Sequence, residues 1–65
     1  MGNITIIERS DGDNDEWSNT DYTVHENGQL VIYNENSQIA AIYSPTSWLL
    51  VYNTLRATPE RKQQS

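Results

Sequence analysis

Apolar residues along this chain fall into short runs separated by turn-forming residues at a nearly even spacing. The runs are Tyr22-Thr23-Val24-His25, Leu30-Val31-Ile32-Tyr33, Ile39-Ala40-Ala41-Ile42-Tyr43 and Trp48-Leu49-Leu50-Val51-Tyr52. They are rich in the β-branched and aromatic side chains that fit a pleated surface. The breaks are Asn27-Gly28, Asn34-Glu35-Asn36-Ser37 and Ser44-Pro45-Thr46-Ser47. Upstream, residues 3–9 alternate imperfectly and predict one more strand. The pattern predicts an all-β fold, a small antiparallel meander of four to five strands.

Asn27-Gly28 predicts a two-residue type I′ turn, because both types tolerate positive φ. That turn sets Val24 against Val31 and Tyr22 against Tyr33. Closing the next hairpin over Asn34 to Ser37 sets Ile32 against Ile39, and closing the third over Ser44 to Ser47 sets Tyr43 against Trp48 and Ile42 against Leu49. With a side-chain period of two, one face then holds Tyr22, Val24, Val31, Tyr33, Ala40, Ile42, Leu49 and Val51. The other holds Thr23, His25, Leu30, Ile32, Ile39, Ala41, Tyr43, Trp48, Leu50 and Tyr52. Both are apolar, whereas a lone antiparallel sheet in water keeps one face polar. A second copy is the simplest cover. The expected assembly is a homo-oligomer, most simply a dimer, with Trp48, Leu49, Leu50, Val51, Tyr52, Tyr33 and Tyr43 at the contact with the second copy or another protein.

A rival pattern runs through the last segment. Ser44 could cap a helix with Pro45 at its first position, and Trp48, Leu49, Val51, Tyr52 and Leu55 follow helical spacing. That alternative is an α+β fold with a helix from about Pro45 to Arg56. Against it, Val51, Tyr52, Asn53 and Thr54 are middling to poor helix formers, and the run 48–52 has no polar face.

Composition narrows the chemistry. A chain of 65 residues forms one small domain with a marginal core, and without cysteine and with a single histidine it has neither disulfides nor a good zinc ligand set. No apolar stretch reaches a signal or membrane-spanning length, so the expectation is a soluble cytoplasmic protein with no membrane partner and no cofactor. The net charge of −5 argues against direct nucleic-acid binding. The charge is uneven: residues 1–35 hold eight acidic side chains against Arg9 alone, a net of −7, and residues 36–65 carry +2. Residues 10–21, with Trp17 as their one large apolar side chain, read as an acidic loop, and residues 57–65 as a polar tail.

Asp11, Asp13 and Asp15 have the spacing with which a calcium loop begins. Glu16 stands where that loop needs glycine and Tyr22 where it needs a bidentate glutamate, so a calcium module is an alternative and no metal site is assigned. His25 is the one side chain with an ordinary pKa near neutrality, yet it sits beside a turn with no nucleophile spaced to meet it. The expectation is a non-enzymatic protein. Tyr33, Tyr43, Trp48 and Tyr52 on a sheet suggest a stacking platform for bases, but no basic residue accompanies them and core or interface is the better reading. A second alternative inverts the charge: Asp11, Asp13, Asp15, Glu16 and Asp21 could imitate a phosphate backbone and occupy a nucleic-acid-binding protein.

The segments Val24-His25-Glu26-Asn27-Gly28-Gln29-Leu30-Val31-Ile32 and Ala41-Ile42-Tyr43-Ser44-Pro45-Thr46-Ser47-Trp48, on an acidic background, resemble the short uncharacterised proteins of bacteriophage genomes. The resemblance covers about half the chain and lies in a glycine turn, a β run and an aromatic-Ser-Pro-x-x-Trp segment. It implies a phage or mobile-element origin and a host-directed binding or inhibitory role. It implies no site residues.

Overall fold

The computed structural model describes residues 3–55 and 59–61. Among these described residues seven antiparallel strands form: β1 (Ile4–Arg9), β2 (Asn14–Ser18), β3 (Thr20–Val24), β4 (Leu30–Asn34), β5 (Ile39–Tyr43), β6 (Trp48–Asn53) and the two-residue β7 (Glu60–Arg61). They make a four-stranded sheet, β2-β1-β6-β7, and a three-stranded sheet, β3-β4-β5. The all-β class is as expected, and the helical alternative fails because 48–53 are strand. Arg56 lies outside the described residues, as do 57, 58 and 62–65 of the expected polar tail.

Alternation sorts each sheet into two faces. In the first, Ile7 stands opposite Val51 and Asp15, and Thr5 opposite Asn53 and Trp17, all turned inward. In the second, Val24, Leu30 and Tyr43 form one inward row, and Tyr22, Ile32 and Ala41 the next. The inward faces meet in one core of Ile7, Tyr22, Leu30, Ile32, Trp48 and Val51, with Trp17, Val24, Ala41 and Tyr43 packed against it. The two apolar faces thus cover each other within one chain.

Three expectations need correction. First, residues 10–21 are no loop: they hold β2 and the start of β3. Arg9 ties this acidic stretch to β1, and Trp17 alternates inward. Second, the Asn27-Gly28 hairpin is one residue longer than a type I′ turn. His25 and Gln29 close it, Gly28 alone takes positive φ at 92°, and Val24 stands against Leu30. A type I turn ending in one left-handed residue needs less of Asn27, whose Oδ1 instead accepts the Gln29 N–H. The one-residue shift moves Tyr22 and Val24 onto the face of Leu30 and Ile32, so the apolar residues of β3 turn inward. Third, β5 and β6 do not pair. The Ser44-Pro45-Thr46-Ser47 turn carries the chain between sheets, and β6 pairs with β1. A bulge opposite Glu8 and Arg9 leaves Leu49 as the extra residue, so that Trp48 and Val51 both turn inward.

Three hairpins among the described residues, β1–β2, β3–β4 and β4–β5, share one geometry. Arg9 with Asp13, His25 with Gln29 and Asn34 with Gln38 each bracket three residues, the third of which is left-handed: Gly12 at φ 99°, Gly28 at 92° and Ser37 at 63°. The second hairpin was expected to carry a four-residue loop. A bulge between Ile32 and Tyr33 then sets Ile32 against Ala41 and Leu30 against Tyr43, which keeps Leu30, Ile32, Ala41 and Tyr43 on one face, as the alternation predicts.

Candidate functional site

Three polar bridges fix how the sheets face each other. At one end Asn53 Nδ2 donates to Thr5 Oγ1 at 2.7 Å and to the Thr20 carbonyl at 2.8 Å, while Thr20 Oγ1 donates to Thr5 Oγ1 at 2.9 Å. All three residues are buried, and each buried polar atom must find such a partner. At the other end the Trp48 indole N–H donates to the Gly28 carbonyl at 2.8 Å. Along one side, Trp17 Nε1 donates to the Tyr43 hydroxyl at 3.0 Å, and that hydroxyl donates to Asp15 Oδ2 at 2.6 Å. Sequence reasoning missed the Thr5, Thr20 and Asn53 cluster, whose members are far apart in the chain and share no motif.

The acidic residues do not act as a set. Arg9 grips Asp11 through Nε and Nη2, reaches Asp15 Oδ1 at 3.1 Å and lies 3.8 Å from Asp13. Its hydrogen bond holds the Asp11 carboxyl below the usual carboxylate range, and the guanidinium pKa rises in return. Burial first, then the bond to Asp15, pushes the Tyr43 hydroxyl up. Three of the five carboxylates expected to face a partner are therefore engaged by Arg9, while Glu16 and Asp21 are exposed at the edges of different sheets. Among the described residues no cluster of three or more histidine or acidic side chains is placed to hold a metal ion.

Among the described residues lie two open polar clefts of about 330 Å³ each. One is lined by Asn3, Asn19, Thr20, Asp21, Asn34 and Glu35, the other by His25, Glu26, Asn27 and Gln29. The second brings no hydroxyl or thiol nucleophile to His25, which is exposed.

The contact residues expected from the sequence separate. Trp48 and Val51 are fully buried in the core, and Tyr43 packs against it, which removes the first two from any surface. Leu49 is exposed, and Leu50 and Tyr52 are half-buried; Leu50 and Tyr52 lie on the outward face of the four-stranded sheet, in register with Glu8 and Ile6. Tyr33 lies on the outward face of the three-stranded sheet, where the rows are Thr23, Val31, Ile42 and Asp21, Tyr33, Ile39. Ile39 and Ile42 are 58% and 54% exposed there, with Ala40 exposed between them. Ile39, Ala40 and Ile42 belong to a segment, residues 36–55, that carries no charge at all. Asn27 and Gly28 stand in the turn assigned to them, with Gly28 against Pro45.

The fold and this surface define a small two-sheet antiparallel β protein with an uncharged apolar strand, β5, exposed at one edge. No protein-family model, no curated protein and no solved structure matches the chain. Among the described residues no helix is long and apolar enough to cross a membrane.

Proposed function

We propose that this chain is a non-catalytic protein-binding module that also associates with itself, phage-encoded and working in the host cytoplasm. The observation that carries the reading is the outward face of β5, where Ile39 beside the half-buried Tyr33 and Ile42 beside the buried Val31 stand more than half exposed in a segment free of charge. Exposed apolar patches of this kind mark contact surfaces on small proteins. The lack of cysteine fits a reducing compartment. Imitation of a nucleic acid is the weaker reading, because Arg9 draws Asp11, Asp13 and Asp15 toward itself and offsets one of their three charges.

The test compares surfaces on one folded chain. Proteins retained by the immobilised wild type from a bacterial lysate are lost with Ile42→Asp, kept with Glu16→Gln, and little affected by salt. Loss with Glu16→Gln and with salt, together with retention by Ile42→Asp, would transfer the function to the acidic surface.

A further inference from the structure

We propose that β5 is a self-pairing edge: two copies join their β5 strands antiparallel across a two-fold axis, making one six-stranded sheet from two three-stranded ones. The proposal rests on the protein-binding reading above and names a second copy as an occupant.

Strand edges present unpaired N–H and C=O groups, and folded proteins guard them with charge, proline or cover. The two sheets have four edges, and they are not treated alike. β2 carries Asp15 and Glu16, β7 consists of Glu60 and Arg61, and β3 carries Asp21, whose own carboxylate accepts the Tyr22 N–H. β5, Ile39-Ala40-Ala41-Ile42-Tyr43, has neither a charge nor a proline, and among the described residues no strand pairs with its outer side. A chain of net charge −5 repels its own copies over most of its surface. Across β5 that repulsion is least, because residues 36–55 are uncharged, whereas β2 or β3 pairing with itself would bring carboxylates together.

The strand is also complementary to itself. With Ala41 on the axis, Ala41 meets Ala41 and Ile42 meets Ala40 of the second copy, while Ile39, put out of that register by the bulge at Ala40, lies beyond the paired stretch. Residues directly opposite share a face, so the outward Ile42 stays outward and the inward Ala41 stays inward on both sides of the seam. Each large Ile42 lies beside a small Ala40, and the two exposed isoleucine pairs merge into one patch. Pairing over so short a stretch buries less than the ~1,000 Å² of a stable interface, so the dimer forms as concentration rises.

The chain has no cysteine, which makes a trap simple. Opposed residues in an antiparallel pair have Cα atoms about 4.5–5.5 Å apart, within the ~4.4–6.8 Å that a disulfide spans. Ala41→Cys therefore cross-links under mild oxidation at least tenfold faster than Thr23→Cys on β3. Ala40→Lys in the Ala41→Cys background cuts the rate at least tenfold, and further addition of Ile42→Glu restores it, because each introduced ammonium then faces an introduced carboxylate. The wild type supplies an independent measurement, in which dilution shifts the amide resonances of residues 39–43 and few others. No rate advantage for a folded Ala41→Cys, or a wild type that sediments as a monomer at millimolar concentration with no such shifts, would overturn self-pairing. If self-pairing fails while Ile42→Asp still strips retained proteins, the binding reading stands alone. If both fail, neither stands.

Discussion

Two turns of the same shape hold this molecule in different ways. The β1–β2 turn and the β3–β4 turn each bracket three residues and end on a glycine at φ near +95°, Gly12 at 99° and Gly28 at 92°. A Cβ on Gly12 would meet nothing within 4 Å, while one on Gly28 would meet Pro45 Cβ at 3.2 Å. The first turn stands in solvent and is tied by charge, through Arg9 to Asp11, Asp13 and Asp15. The second is pressed into the fold, its carbonyl taking the Trp48 indole N–H and its glycine packed on the turn that carries the chain between sheets. Identical backbone conformations therefore differ in what they contribute, because the surroundings and not the turn decide what a side chain costs.

The largest effect expected from that contrast is at Gly28. Gly28→Val sets a β-branched residue at positive φ and drives its Cβ against Pro45, so stability falls by about 3 kcal/mol, at the upper end of what one strained residue costs. A thermal melt equal to wild type would show that the hairpin closes elsewhere. Gly12→Val has the same backbone strain with open space around it, and about 1 to 2 kcal/mol is expected. The difference between the two variants, measured in the same urea titration, reads the Pro45 contact; equal losses would mean that the packing contributes nothing.

Acid should separate the turns further. Arg9 lowers the folded-state pKa of Asp11, so the stability this contributes is present above the unfolded value of about 4 and is lost as pH falls through the folded value. Melting temperature should drop in that window, and Asp11→Asn should flatten the drop. An identical pH profile in the variant would take Asp11 out of the account. The smallest effect is at the third turn of this shape, where Ser37 holds φ 63° without being glycine. Ser37→Gly relieves the left-handed strain but adds freedom to the unfolded chain, for a net gain of about 0.5 kcal/mol. A lower melting temperature would mean that the serine side chain contributes more than its strain costs.

The strands themselves were legible in the sequence. Runs rich in Val, Ile, Tyr and Trp with turn residues between them locate β3 to β6, and the alternation groups Leu30, Ile32, Ala41 and Tyr43 on one face, as the structure does. The lack of charge along residues 36–55 is equally a property of the sequence. These features are local, since propensity, period and charge act over a few residues. What only the tertiary structure decided is which strand meets which. A loop one residue longer at Gly28 moves Tyr22 and Val24 to the other face, and such a slip changes little in the turn itself while changing everything that the strands bury. The partner of β6 was decided in the same way: pairing with β5 would extend one sheet with two greasy faces, whereas pairing with β1 lets Trp48 and Val51 close over Leu30 and Ile32. Residues 10–21 became strand for the same reason, because Trp17 and Asp15 gain the Tyr43 hydroxyl only once the two sheets are face to face. Alternation determines which side chains share a face, and burial over long range determines what that face is pressed against.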